Sequence, residues 1–342
     1  MDLKERLNRL TSVSKLTPTP AYRQAGIPSP LEASGSEEPL ARRGEGEGGG
    51  DLRQRLDRLL EPQKTYRKKA IFPIEQLVKG EVISTRDGET FLTKEHFPPH
   101  FQYGEMALVD ILNIPTYPAH LLSKDERLKE LDFRRALFLD TETTGLTGGT
   151  GTFAFMVGLG FFQEGRFVVH QFFMRDYSEE RASLSLLKGM LESFQFLVTF
   201  NGRQYDIPLL ETRFILSRII SKIREMPNFD LLYPARKIWK GAYENCRLVT
   251  LESQLLGVER TDDIPSEWIP YLYFDYIQTG DARKIQQVFY HNQMDILSMV
   301  ALVGRIHLVY HDPQAARPGK GIEHFALGRL FWEHGQREKA IP

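Results

Sequence analysis

ALFLDTETTG, residues 136–145, is an apolar run that closes on two acids and a glycine turn. A continuous apolar stretch of this length, bounded by a turn signal, reads as a strand buried on both faces. Side chains two apart on a strand project to the same face, so Asp140 and Glu142 share one side of the strand end. Two neighbouring carboxylates repel each other unless a shared proton or a cation relieves them, which makes a metal ion the natural resident. Taken alone, the pair reads more readily as a solvated strand end.

Downstream comes FAFMVGLGFF (153–162), a turn at Gln163, Glu164 and Gly165, and RFVVHQFFM (166–174), so three strands joined by short connections form an antiparallel meander. An amphipathic helix over about 180–194, a strand FLVTF (196–200), a helix from near Asp206, a short strand at 229–232 and further helices complete a domain spanning 131–312. A meander followed by alternating helices and strands is the order of an α/β, RNase H-like fold, a mixed sheet flanked by helices. The run GLTGGTGT (145–152) joins two strands and lacks the Lys-Ser/Thr ending of a phosphate-cradling loop, so it reads as a flexible hairpin near the strand end.

Upstream, VKGEVISTRDGETFLTKEHFP (78–98) alternates about Arg86, Asp87 and Gly88 as a hairpin, and is expected to be an accessory element within 71–130. Residues 1–70 are expected to be mostly disordered, because 15–50 are rich in Pro, Gly, Ser and charge and bury too little to offset ordering entropy. Two similar short amphipathic pieces flank that linker, DLKERLNRL (2–10) and DLRQRLDRL (51–59). They read as frayed helices or as a duplicated docking motif. The tail GIEHFALGRLFWEHGQREKAIP (321–342) places Leu327, Gly328, Phe331, Gly335 and Ala340 where a tetratricopeptide repeat would, as the start of a helical repeat, a helix packed on the domain's own core, or a plain surface helix.

Of 342 residues, 41% are hydrophobic and 26% charged, and the net charge of -1 supplies no general basic field, so any nucleic-acid footprint is a local patch. The single cysteine, Cys246, rules out an internal disulfide framework and fits a reducing, cytoplasmic setting. The N-terminus lacks an apolar signal core. No stretch reaches the roughly 20 apolar residues that cross a bilayer, so the chain is expected to be soluble.

Two further motifs carry acids. In FLVTFNGRQYDIPLL (196–210) a strand ends at Asn201 and Gly202, and Asp206 stands at the start of the next helix, as an acid aimed at the cleft or as one favoured there by the helix dipole. In YHNQMDILSMVAL (290–302), His291 and Asp295 lie four apart on an apolar helix and so share one face. A polar pair on such a helix must find partners or lose stability. A neutral imidazole beside a metal-bound water is suited to accept its proton.

Together DTETTG, NGRQYD and the His291/Asp295 pair resemble the three motifs of DEDD 3′-5′ exonucleases. The likeness is closer to the YprB-like branch, the mitomycin repair exonucleases, over about residues 70–310. The resemblance implies that Asp140, Glu142, Asp206 and Asp295 bind two Mg²⁺ or Mn²⁺ ions and that His291 is the general base. Tyrosine-type members carry Tyr four before the last Asp and histidine-type members carry His five before; here His291 is four before and Tyr290 five before, and the YprB-like spacing assigns the base to His291. By the same resemblance Thr143, Thr144 and Leu146 contact the terminal nucleotide, and Asn201 and Tyr205 hold the strand end.

Asp230 reads as a helix N-cap or as an outer member of the site. Arg236, Lys237 and Lys240, with Arg213, Tyr233 and Trp239, form a candidate strip for phosphate contact and base stacking. The expected activity is metal-dependent 3′-5′ hydrolysis of single-stranded DNA or DNA 3′ ends in repair, with a DExH-type helicase as partner. RNA as substrate, or a scaffold that recruits such a helicase, are the alternatives.

Overall fold

Short, nearly continuous hydrophobic runs build the centre of the sheet, and one long apolar helix closes over it. The computed structural model describes residues 72–145, 151–312 and 321–340. Both leucine motifs, the linker between them and Leu146 lie outside those residues. In chain order the elements are α1 (Ile74–Leu77), β1 (Glu81–Thr85), β2 (Gly88–Phe97), β3 (Gln102–Tyr103), β4 (Met106–Ala107), α2 (Tyr117–Ser123), β5 (Ala136–Thr143), β6 (Ala154–Gln163) and β7 (Arg166–Phe173). There follow α3 (Glu180–Glu192), β8 (Phe196–Thr199), α4 (Asp206–Leu216), β9 (Asn228–Asp230), α5 (Leu232–Trp239), α6 (Leu248–Leu251), α7 (Ile269–Thr279), α8 (Gln286–His311), α9 (Gly321–Glu333) and α10 (Arg337–Ala340).

The seven-stranded sheet has the order β1-β2-β7-β6-β5-β8-β9, antiparallel as far as β5 and parallel from β5 through β8 to β9. The expected mixed α/β architecture is therefore present, with one correction. The 78–98 hairpin is not accessory: β2 pairs with β7 along seven residues and extends the central sheet. Its apolar residues Phe91 and Leu92 are buried there.

The sheet is covered on both faces, which is why β5 from Ala136 to Leu139 and β6 from Ala154 to Phe162 run without polar alternation. Leu137 and Leu139 face α3 and α4, where Leu184, Leu187, Leu210 and Phe214 join the same core. Ala136 and Phe138 face α8, against Ile296, Val300 and Val303. Two glycines in β6 set how close α8 lies. A Cβ at Gly158 would meet the Asn292 amide, and one at Gly160 would meet Ile296 and Phe167.

Helix α8 corrects the sequence reading in another respect: with 26 residues and a mean hydropathy of 1.2 over its best window, it is long and apolar enough to cross a bilayer. Most of its apolar side chains from Ile296 to Tyr310, Leu308 excepted, are instead buried in the protein core. Helix α9 packs on the same core through Leu327, Leu330 and Phe331. The tail thus packs part of its apolar surface on the domain's own core, while Phe325 and Trp332 stay exposed.

Candidate active site

Parallel strands β5 and β8 end side by side, and the crevice beyond their carboxyl ends is where open α/β sheets bind ligands. Asp140 sits on β5 opposite Gly158, and the strand shifts register between Glu142 and Thr143, so the acids fall where regular pairing ends. Beyond β8 the backbone of Asn201 is left-handed, with φ of 66°. Asp230 holds that turn: its carboxylate accepts from the backbone N–H of Asn201 at 2.7 Å, of Arg203 at 3.0 Å and of Leu232 at 3.1 Å. Asp230, one residue before the N-cap Leu231, therefore ties the start of α5 to this turn. The Asn201 Oδ1 is buried and has no protein partner. Asp206, the first residue of α4, accepts a hydrogen bond from the Thr141 hydroxyl.

Two cavities meet at this point. One of about 610 Å³ is lined by Asp140, Asn201, Arg236, Arg247, Arg260, Asp263, Ser266, His291 and Asp295 among others. The other, of about 260 Å³, is lined by Asp140, Glu142, Thr143, Asn201, Tyr205, Asp206, Leu209, Ile269 and Pro270 among others. Asp140, Phe200, Asn201 and Ser266 belong to both, so the two cavities are arms of one cleft.

Burial dominates the electrostatics of the sheet side. It lifts the carboxyl groups of Asp140 and Glu142 well above the ordinary range, and the charges of the other acids lift them further: Asp295 and Asp206 act on Asp140, and Asp140 and Asp295 on Glu142. Burial likewise pushes Asp206 up to about 6 against the pull of its hydrogen bond from Thr141. Asn292 Nδ2 donates to Asp140 at 2.8 Å. That amide is fixed in turn, because Gln171 Nε2 donates to Asn292 Oδ1 at 3.0 Å and Thr93 Oγ1 donates to Gln171 Oε1 at 3.0 Å. The chain of contacts begins on β2, in the hairpin that seemed accessory.

On the opposite wall, His291 Nδ1 lies 2.9 and 3.0 Å from the two oxygens of Asp263. Its Nε2 is 3.3 Å from Ser266 Oγ and 3.9 Å from Asp295 Oδ2. Burial opposes the charged form of His291, but the Asp263 hydrogen bond and the nearby Asp295 outweigh it and raise its pKa. Burial also opposes ionised Asp263, yet the His291 hydrogen bond and charge leave its carboxyl below the ordinary range. Arg260 bonds Glu252, Asp263 at 2.9 Å and Asp295, with its side chain 5% exposed. Burial lifts Glu252 above the ordinary carboxylate range despite that ion pair.

The five principal residues of the sequence reading thus share one cleft. Thr143, Asn201, Tyr205 and Arg236 also line it, whereas other expected contacts do not. Thr144 spends its hydroxyl on the Phe153 N–H, at 2.9 Å, because it fastens the β5–β6 hairpin. Lys237 lies one residue beyond Arg236 on α5 and so points elsewhere, donating to the Leu122 carbonyl at 2.9 Å. Arg213 and Trp239 are buried, Arg213 against Glu180 and over the Phe153 ring. Tyr233 and Lys240 line neither arm, and neither does Tyr290, the alternative base.

Sequence reasoning missed Asn292, Arg260, Asp263, Ser266 and Arg247. Asn292 had a visible signal, a polar residue next to His291 on an apolar helix beside a glycine-bearing strand. Arg247, Arg260 and Asp263 sit in loops and Ser266 opens a three-residue 3-10 helix, where no period marks a direction.

Among the described residues no three His, Cys, Asp or Glu side chains are gathered closely enough to hold an ion as they stand. Asp140 accepts from Asn292, Asp206 from Thr141 and Asp295 from Arg260.

Residues 137–307, half of the chain, match the family described as the RNase_H superfamily, and the chain belongs to that superfamily. It is 34% identical over 210 residues to the uncharacterized protein YprB of Bacillus subtilis (strain 168), covering 60% of this chain and 49% of that protein. The chain thus spans about half the length of that relative. Among solved structures, the family B DNA polymerase of the archaeon Pyrobaculum calidifontis aligns with a TM-score of 0.41 and 13% identity, over 60% of this chain and 30% of that one.

Proposed function

We propose that this chain is a metal-dependent nuclease that removes nucleotides from the 3′ end of DNA. One observation carries the reading: Asp140, Glu142, Asp206, Asp295 and His291, drawn from three separate motifs, line a single cleft at the carboxyl ends of β5 and β8. RNase H superfamily membership supports phosphodiester hydrolysis, while the DNA substrate and the 3′ polarity rest on the resemblance of the three motifs to DEDD exonucleases.

The donor set fits Mg²⁺ or Mn²⁺. All four candidate ligands are carboxylates, the hard oxygen donors these ions take. Burial and mutual repulsion hold Asp140 and Glu142 toward the protonated form, a strain that positive charge in the cleft would relieve. Side-chain hydrogen bonds reach Asp140 from Asn292, Asp206 from Thr141 and Asp295 from Arg260. Two such ions, held by Asp140, Glu142, Asp206 and Asp295, would stabilise the attacking and leaving oxygens of an in-line displacement.

The chain's own residues do the remainder. A carboxylate can only accept, so the contact with ionised Asp263 places the imidazole proton on Nδ1 and leaves the lone pair of Nε2 to take a proton from an attacking water. Arg236 and Arg247, on the larger arm, suit phosphate contact. Tyr205, 57% exposed, with Leu209, Ile269 and Pro270 beside it, gives the smaller arm an apolar surface for a base.

The test is incubation of 5′-labelled DNA, and of RNA of the same sequence, with Mn²⁺ or Mg²⁺. Progressive shortening of DNA from the 3′ end is expected. Faster loss of RNA would reassign the substrate, and no shortening with either metal would overturn the reading.

A further inference from the structure

Three residues on α8 form one stripe, His291, Asp295 and Ser298, at successive turns of the same helix face. A single guanidinium meets that stripe at every level. Arg260 reaches His291 through Asp263, contacts Asp295 directly, and reaches Ser298 through Glu252, whose Oε1 accepts from the Ser298 hydroxyl. Tyr103 closes the far end, with its hydroxyl 2.6 Å from Ser298 Oγ.

We infer that Asp263 and Arg260 are positioning residues, which fix the imidazole of His291 and the carboxylate of Asp295 for the reaction proposed above, on which the inference rests. Three features of the geometry carry it. Both Asp263 oxygens face Nδ1, so the ring is held in its plane and in one tautomer, with Nε2 turned toward Ser266 and Asp295 in the cleft. Asp263 is itself held from two sides, by Arg260 Nη1 at 2.9 Å and by the Ile264 N–H at 2.8 Å. Arg260 has no freedom to leave: its side chain is 5% exposed, and Glu252, at 1%, grips it from behind.

The local backbone is built for this grip. Helix α6 widens at Glu252–Leu256 into a π-helical turn that ends on left-handed Gly257, and the Val258 N–H returns to the Glu252 carbonyl at 3.0 Å. Such widened turns are rare and concentrate at functional sites. Here the turn places Glu252 and Arg260 on opposite sides of one ion pair, eight residues apart.

The experiment uses the full chain labelled with ¹⁵N-histidine, with the His291 resonance assigned by its loss in His291→Gln. In the wild type His291 should carry its proton on Nδ1, and a proton on Nε2 would overturn the inference without any variant being made. Asp263→Asn should lose that tautomer and lower turnover about 10²-fold, with Mn²⁺ affinity by calorimetry changed less than about threefold. Asp263→Glu keeps the charge and should restore the tautomer and part of the turnover. If it is folded like the wild type but matches Asp263→Asn in both readouts, the inference fails.

Arg260→Lys should keep the tautomer and lose about tenfold in turnover, because a point charge cannot serve three carboxylates at once. Wild-type turnover in that variant would remove Arg260 from the proposal. A wild-type chain that cleaves neither DNA nor RNA, yet shows the Nδ1 proton and its loss in Asp263→Asn, would sink the nuclease reading and leave the positioning geometry standing.

Discussion

The two walls of the cleft treat buried charge in opposite ways. On the sheet side, Asp140 and Asp206 take hydrogen bonds from the neutral groups of Asn292 and Thr141, and burial lifts both carboxyls. On the helix side, Glu252, Asp263 and Asp295 all meet Arg260, and Asp263 also meets His291. Unpaired buried charge costs folding free energy, whereas a well-bonded buried network holds its members in place. The paired wall therefore holds His291 and Asp295 in fixed positions, and the wall without a cationic partner is where an external cation has most to offer.

The largest expected difference is in turnover. Asp140→Ala removes the acid common to both arms and should lower nuclease activity roughly 10³-fold or more, while the melting temperature without metal stays at or above that of the wild type. A folded variant that still cleaves would show the sheet wall to be dispensable. Next comes Arg260→Met, which strands buried carboxylates and should cost about 3–5 kcal/mol in urea unfolding. A cost below about 1 kcal/mol would mean the helix wall is not held by charge.

Asp206→Asn should act in the opposite direction. The folded-state pKa of Asp206, about 6, lies above its ordinary carboxylate value, so between the two the native state binds more protons than the unfolded one. Stability of the metal-free protein therefore falls as pH rises through this window, and the effect is on the order of 3 kcal/mol or less at pH 7. His291, also raised, adds the same sign above its ordinary pKa of 6.5: the stability it contributes at lower pH is lost as pH rises through its folded value. In chelator, wild-type protein should melt lower at pH 7.5 than at pH 5.5, Asp206→Asn should flatten that slope, and Mn²⁺ should raise the wild-type melting temperature at pH 7.5. A flat profile in the wild type would show the sheet-side repulsion to be absent.

The sheet wall was legible from sequence and the helix wall only in part, for a physical reason. Period two puts Asp140 and Glu142 on one face of β5, and period 3.6 puts His291 and Asp295 on one face of α8, so regular elements announce where their side chains point. Arg260 and Asp263 stand in GVERTDDIP (257–265), which has no period, and their directions come from tertiary contacts alone. The hairpin at 78–98 was visible as a hairpin, but β2 finds its partner in β7, some 75 residues on, and no local pattern encodes that pairing. Lys237 failed for a related reason: composition places it in a basic strip, yet one step along a helix turns a side chain by about 100°.

That step supplies the finest test, at the rim between the two walls. Arg236 is exposed and lines the larger arm, while its neighbour Lys237 is held against the Leu122 carbonyl. A phosphate contact releases counterions when it forms, so removing one lowers the dependence of binding on salt concentration. Arg236→Ala should weaken DNA binding several-fold at low salt and reduce the slope of log affinity against log salt by about one. Lys237→Ala keeps the same change in net charge but should leave that slope unaltered, with affinity within about twofold. The pair is matched for charge and adjacent in sequence, so any long-range field would treat the two alike. Equal slopes would mean that the larger arm does not carry the strand and that its arginine serves only to offset the acids of the two walls.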